Sequence, residues 1–269
     1  MRPACLTLAA ALMLISPLAA SAQSDAPLLH LALGYDGRLL FKVLDIEVRE
    51  ETSGADFSAD SQLTSAGILA LLKHIHQTAS SHGHIVAGEP QPGVFETQSL
   101  SGKTRRRIRT IWTGADVTMS AEPAFANLGD PPASLAQKLA AADPLTALVR
   151  ITLRGSRERT CNRSYLFFDG KQLYALDFGP PQDTPATFKE ARLGLVGHFR
   201  CDVRFREVAG FGKKPPSKRD QGLQRQINVD FARVGERGPW VISALHAQTP
   251  LGWASIELSR LSVNGRAAD

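Results

Sequence analysis

Apolar and polar residues alternate with a period of two along most of this chain, and glycine-bearing turns cut the alternation into short lengths. Successive side chains on a strand point to opposite faces, so the pattern is that of half-buried β-strands. Between Leu40 and Arg49, the residues Phe41, Val43, Ile46 and Val48 alternate with Lys42, Asp45, Glu47 and Arg49. The period slips once near Leu44-Asp45, as a β-bulge produces. Asp36-Gly37 ahead of it is a hairpin signal. Ala55–Leu63 follows as a strand, and Ser65–Leu72 reads as a short helix capped by Ser65. Alternation resumes after Lys73 and reaches a turn at Ser81-His82-Gly83.

Three strands are expected over Phe95–Leu100, Arg105–Trp112 and Asp116–Ala121, with turns at Ser101-Gly102 and Thr113-Gly114. Pro131-Pro132 closes that region. Ser134–Leu153 is the best helical stretch, and it divides at Asp143-Pro144. Asp143 suits an N-cap and Pro144 the first helical position. Leu145, Leu148, Val149 and Thr152 recur at helical spacing, so they form the buried face. Tyr165–Phe168, Asp169-Gly170 and Gln172–Phe178 make the clearest hairpin. Arg192–Leu195 and Gly197–Val208 read as a second pair. Lys213–Asp220 is an exposed loop. Ile227–Val234, Trp240–Thr249 and Trp253–Val263 are the last strands, with Pro250-Leu251-Gly252 as the final turn. The expected fold is mainly β. It is a strongly curved antiparallel sheet, an open barrel or spiral, with the helices near Ser65–Leu72 and Ser134–Leu153 plugging or covering it.

The N-terminus sets the compartment. Arg2, the apolar stretch Leu6–Leu18 and Ala20-Ser21-Ala22 form a secretory signal, so residues 1–22 leave and Gln23 begins a single mature domain, 23–269. The stretch is too short to remain as a membrane span. The formal charge of +5 falls to +4 when Arg2 leaves, and it is spread along the chain. A solvated basic surface follows, and nucleic acid is a poor partner for a secreted chain. Cys5 is lost with the signal. Cys161 and Cys201 remain in an oxidising compartment, and no Cys-x-x-Cys spacing suggests redox or metal work. They are expected to form a structural disulfide tying the turn after the main helix to a later strand.

Other constellations carry less. His74-x-His76 and His82-x-His84 each place two imidazoles on one strand face, which suits zinc or copper. No carboxylate or cysteine accompanies them at metal-site spacing, so solvated histidines are expected and no metal. In the basic run, Arg105, Arg107 and Arg109 share a face opposite Arg106, Ile108 and Thr110, so they are read as an outer sheet face. Gly102-Lys103-Thr104 lacks the earlier glycine of a phosphate-binding loop, where Thr97 stands. No Gly-x-Ser-x-Gly elbow occurs and no triad spacing stands out. No catalytic residue and no cofactor are therefore assigned.

The order Asp143-Pro144-Leu145-Thr146-Ala147-Leu148, Cys161, Phe168-Asp169-Gly170-Lys171, Tyr174, Leu176, Cys201, Val208-Ala209-Gly210-Phe211 and Thr249-Pro250-Leu251-Gly252 resembles the bacterial envelope family called domain of unknown function 3108. The match is weak before Pro131. The resemblance implies a periplasmic, mostly β protein with no assigned activity, and it supports the Cys161–Cys201 pair. At the level of fold, the expected curved sheet also resembles periplasmic lipoprotein carriers and β-spiral envelope-integrity proteins, a comparison that transfers no function. The expected role is non-catalytic binding of an envelope lipid, a lipoprotein or an extended peptide. The alternatives are a hydrolase of envelope polymers with an unrecognised site, and a structural partner of an envelope complex. Nothing in the sequence fixes an oligomeric state.

Overall fold

The computed structural model describes residues 26–72, 74–101, 104–212, 227–249 and 252–267. The expected signal sequence, Gln23, Gly102-Lys103, the expected loop over Lys213–Asp220 and Pro250-Leu251 lie outside the described residues. A first antiparallel meander comprises β1 (Ala26–Arg38), β2 (Lys42–Gly54), β3 (Asp56–Ser65), β4 (Ile75–Val86), β5 (Glu89–Ser101), β6 (Thr104–Trp112) and β7 (Val117–Glu122), with α1 (Gly67–Leu72) between β3 and β4. Three helices follow: α2 (Leu135–Ala140), α3 (Pro144–Arg154) and α4 (Arg157–Thr160). A second meander comprises β8 (Arg163–Phe168), β9 (Leu173–Asp183), β10 (Leu195–Ala209), β11 (Ile227–Val234), β12 (Trp240–Thr249) and β13 (Gly252–Val263). Helix α5 (Phe188–Arg192) joins β9 to β10, and β14 (Arg266–Ala267) folds back on β13. Strand β1 pairs with both β2 and β13, which fuses the meanders into one antiparallel sheet running from β7 to β8. The two edges do not pair with each other, so the fold is mainly β and the sheet is open.

Alternation decides which face curls inward. Leu31, Glu50, Ala59, Ser81, Phe95 and Thr110 stand opposite one another across β1 to β6. All six are buried, because α3 lies on this face. Leu145 and Val149 of α3 pack with Phe57, Phe95, Trp112, Phe168 and Leu173. Leu148 also touches a second cluster around Leu31, Leu33, Tyr35, Val241 and Leu258. Ile151 packs on a third around Cys161, Phe199, Cys201 and Phe231. Each such buried side chain contributes about 1.5–3 kcal/mol. The helix therefore organises the whole interior. The sheet curls far enough for β6 and β8 to meet across it: Trp112 lies edge-on to Phe168, with ring centroids 6.4 Å apart. Edge strand β8 is covered by one residue of the incoming chain. Ala142 N–H donates to Leu166 O at 3.1 Å, and Phe168 N–H donates to Ala142 O at 3.0 Å. That bridge interrupts the free edge at Phe167.

The helices start where capping chemistry places them. Ser134 and Gln137 form a reciprocal capping box for α2. Asp143 caps α3 with Pro144 behind it, and Leu145, Val149 and Thr152 are buried as the spacing requires. The Asp169–Gln172 turn joins β8 to β9, with Asp169 accepting from the N–H groups of Lys171 and Gln172.

Five expectations are corrected. Asp36-Gly37 lies inside β1, and the turn falls at Leu39–Phe41. Gly37 is needed because the Leu44 side chain crosses it: a Cβ there would lie 2.8 Å from Leu44 Cβ. The bulge in β2 is at Val43, one residue before the expected slip. Ser81-His82-Gly83 is no turn either. Strand β4 runs through it to Ala87-Gly88, both at positive φ. Gly83 sits at a bulge under the Phe57 ring, where a Cβ would meet ring carbon at 2.6 Å. Residues 188–192 form α5, and β10 is a single strand bulged at Gly197, whose φ is +66°. Finally, α1 does not plug the sheet. Ser65 ends β3 and accepts from Ile75 N–H, and Leu71 is 86% exposed. Only α3 fills the concavity.

Candidate functional site

Beneath α3 runs a buried polar line. Asp143 Oδ1 accepts from the N–H groups of Leu145 (3.0 Å) and Thr146 (2.9 Å), while Oδ2 accepts from the hydroxyls of Thr146 (2.5 Å) and Ser81 (3.1 Å). One carboxylate thus caps α3 and fastens it to β4. Burial pushes the Asp143 carboxyl above its usual range, and these four hydrogen bonds oppose the shift. Further along, the Thr152 hydroxyl hydrogen-bonds Glu50 of β2, whose Oε2 has no partner among the described residues. Burial raises Glu50 to about 7.

The sign of that shift yields a prediction. A raised carboxyl favours the folded state fully below about pH 4.5, and the contribution is lost as pH rises through about 7. The loss is about 3 kcal/mol from the size of the shift. Glu50→Gln removes the titration. Urea melts should show the variant gaining on the native protein between pH 4 and 8. A constant difference across that range would assign Glu50 an ordinary pKa.

The disulfide stands where the sequence placed it. Cys161 closes α4, Cys201 lies in the middle of β10, and the two Cα atoms are 5.9 Å apart in the third core cluster.

Beside that disulfide, a pocket of about 310 Å³ opens between α3, α4, the start of β5 and the β8–β9 hairpin. Its floor is Ile151, Tyr165, Phe167 and Phe178. Tyr165 meets Phe178 edge-on at 5.3 Å, and Phe167 stacks on Tyr174 at 5.3 Å. The Tyr165 hydroxyl donates to Arg159 O at 2.7 Å, which ties the rim to the floor. The rim carries Arg150, Arg154, Arg159 and Arg163 against the single carboxylate of Glu89. Arg150 lies 3.3 Å from Glu89 and donates to Pro90 O at 2.9 Å, and Arg154 reaches Glu89 at 2.6 Å. Arg150 and Ile151 belong to the expected helix, and Tyr165, Phe167 and Phe178 to the expected hairpin, but Glu89, Arg154, Arg159 and Arg163 fall in no element expected from sequence, and none of these residues was singled out as a site. The available signal was the run of five arginines from Arg150 to Arg163, directly before an aromatic strand.

Two other depressions differ in character. A polar trough of about 510 Å³ crosses the outer face of β2 to β6. There Arg107 and Arg109 share Glu96 at 3.1 and 2.7 Å, so the charge of the expected outer basic face is offset in part. Arg106 points the other way, 4.6 Å above the Phe125 ring. His82 and His84 line a third depression with His30, and His84 pairs with Asp56 at 2.6 Å. His74 and His76 lie at the start of β4, apart from it. Among the described residues no three His, Cys, Asp or Glu side chains are grouped to hold a metal ion. His246 meets Asp230 at 3.3 Å, yet Arg200 takes both oxygens of Asp230. Ser255, opposite His246, donates to Glu257 instead.

No family model and no curated protein matches this chain. Among solved structures, it is similar to a β-barrel-like protein of domain of unknown function DUF1849 from Brucella abortus. The TM-score is 0.51 at 11% identity, over 88% of this chain and 99% of that one. The likeness bears on the fold alone and leaves aside the family that the motifs after Pro131 resemble. No helix among the described residues is long and apolar enough to cross a membrane.

Proposed function

We propose that this chain is a non-catalytic protein of the bacterial periplasm that holds the acyl chain of an envelope lipid. The observation that carries this reading is the aromatic-floored pocket between α3 and the β8–β9 hairpin. Its floor is apolar, fixed by ring contacts and largely preformed, as in sites for small amphiphiles. At about 310 Å³ it has room for one chain and not for the several chains of a lipoprotein. An extended peptide would pair with a free strand edge. The edge nearest the pocket is β8, where Ala142 already pairs with Phe167 and interrupts the edge. The Cys161–Cys201 bond fits an oxidising compartment.

The test is native mass spectrometry of the protein recovered gently from periplasm, followed by thermal melts with added fatty acid and lysophospholipid. A bound lipid mass, or a melting point that rises with lipid concentration, is expected. A ligand-free protein whose melting point ignores both lipids, or one that carries peptide, would overturn the reading.

A further inference from the structure

The rim of the same pocket has more positive charge than its neighbours neutralise. Glu89 is shared between Arg150 and Arg154. Arg157, just outside, is paired with Asp183. Arg159 and Arg163 line the pocket, and no carboxylate is at ion-pair distance from either among the described residues. Glu158, next to Arg159 in the chain, is fully exposed; it hydrogen-bonds Ser156 and backbone and acts on Arg157 and Arg159 only through longer-range charge. The two guanidinium groups without an ion pair are carried on rigid supports. Arg159 lies on α4, capped by Ser156 and clamped by the Tyr165 hydroxyl, and the next residue but one is the disulfide half Cys161. Arg163 begins β8, two residues before the floor residue Tyr165.

From this arrangement we infer that the pocket selects an anionic amphiphile, with Arg159 and Arg163 gripping a carboxylate or phosphate head while the chain lies on Ile151, Tyr165, Phe167 and Phe178. The inference rests on the acyl-chain reading of the pocket and adds the head group to it. Guanidinium forks match the geometry of both anions, and both stay charged throughout the working pH range. The floor excludes water on one side of the head group, which strengthens the contact relative to bulk solvent. Glu89 sets the selectivity. It pairs with both Arg150 and Arg154 and offsets one of their two charges, so an anion meets the least opposed positive charge at Arg159 and Arg163. A small inorganic anion gains only the rim contacts, whereas an amphiphile gains both.

The experiment is a calorimetric titration of the full chain with three molecules of one chain length: laurate, dodecyl phosphate and neutral dodecyl maltoside, each below its micelle concentration. The two anions should bind about 10- to 100-fold more tightly than the maltoside, the range that charge-assisted hydrogen bonds provide. High salt should narrow the gap. Arg159→Gln with Arg163→Gln should bring the two anions down to the affinity of the maltoside, with the melting temperature unchanged. The single variants should each remove part of the preference. Tighter binding of one anion than the other identifies the head group. Equal binding of anions and maltoside to the native protein would overturn the head-group inference and leave the acyl-chain reading intact, as would a preference that survives in the double variant. Binding of none of the three would overturn the acyl-chain reading itself.

Discussion

Cys201→Ser should cost the fold about 4 kcal/mol, by the chain-entropy relation for a loop of this size. The bond spans 40 residues of sequence, from the end of α4 to the middle of β10. In a domain of this length that loss lowers the melting temperature by roughly 8–16 °C. Both half-cystines are buried, packed with Phe199, Val203 and Phe231, so the serine hydroxyl also enters an apolar cluster without a partner. Denaturant melts of the variant and of the native protein under reducing conditions should give similar losses. A variant that melts with the native protein would show that the cross-link adds nothing to the folded state. The same variant should weaken amphiphile binding, because the bond anchors the helix that carries Arg159.

Asp143→Ala should be comparably damaging, at about 3–5 kcal/mol. An N-cap lost to alanine costs up to about 2 kcal/mol. The rest comes from buried donors left unpaired, at about 1–3 kcal/mol. Here those donors are the Ser81 and Thr146 hydroxyls and two N–H groups of α3. Asp143→Asn separates capping from charge. Its amide oxygen keeps both backbone donors, and its amide nitrogen can donate to the two hydroxyls. Since burial already disfavours the carboxylate, the asparagine should sit within about 1 kcal/mol of the native protein. Equal losses for Ala and Asn in urea melts would show that the negative charge, not the cap, holds α3 in place.

Much of this architecture was legible where a residue's role is decided by its immediate neighbours. Asp143-Pro144 marked the start of α3 because capping depends on three or four adjacent residues. Asp169-Gly170 marked a turn for the same reason. The thiol pair followed from arithmetic on three cysteines once an export signal was expected. What escaped was decided by residues far away in sequence. Gly83 looks like a turn glycine, yet its missing Cβ makes room for Phe57, 26 positions earlier. Gly37 likewise yields to Leu44 across a strand pair. The Arg105–Arg109 run drew attention by density, but Glu96 on the neighbouring strand pairs with two of its outward arginines, Arg107 and Arg109. The pocket was invisible for the same reason. Its acid comes from β5, its arginines from α3, α4 and β8, and its aromatic floor from β8 and β9.

The pairing of β1 with β13 has a consequence for how the chain reaches this state. Leu31 stands beside Val263, and Leu33 beside Leu261, so the first strand finds its second neighbour more than two hundred residues later. Such contacts give a high contact order, and proteins built on them fold slowly. A chain delivered N-terminus first can zip β1 to β7 as it appears, but Leu31, Leu33 and Tyr35 keep an uncovered flank until the last strand arrives. Among the described residues the two meanders share no other strand pairing. Loss of the chain from Gly252 onward, β13 included, would therefore do more than trim an edge: it would unhook one half of the sheet from the other, leaving α3 as their main link. The closing strand acts as the latch of the fold, and the nascent protein stays sticky until it is set.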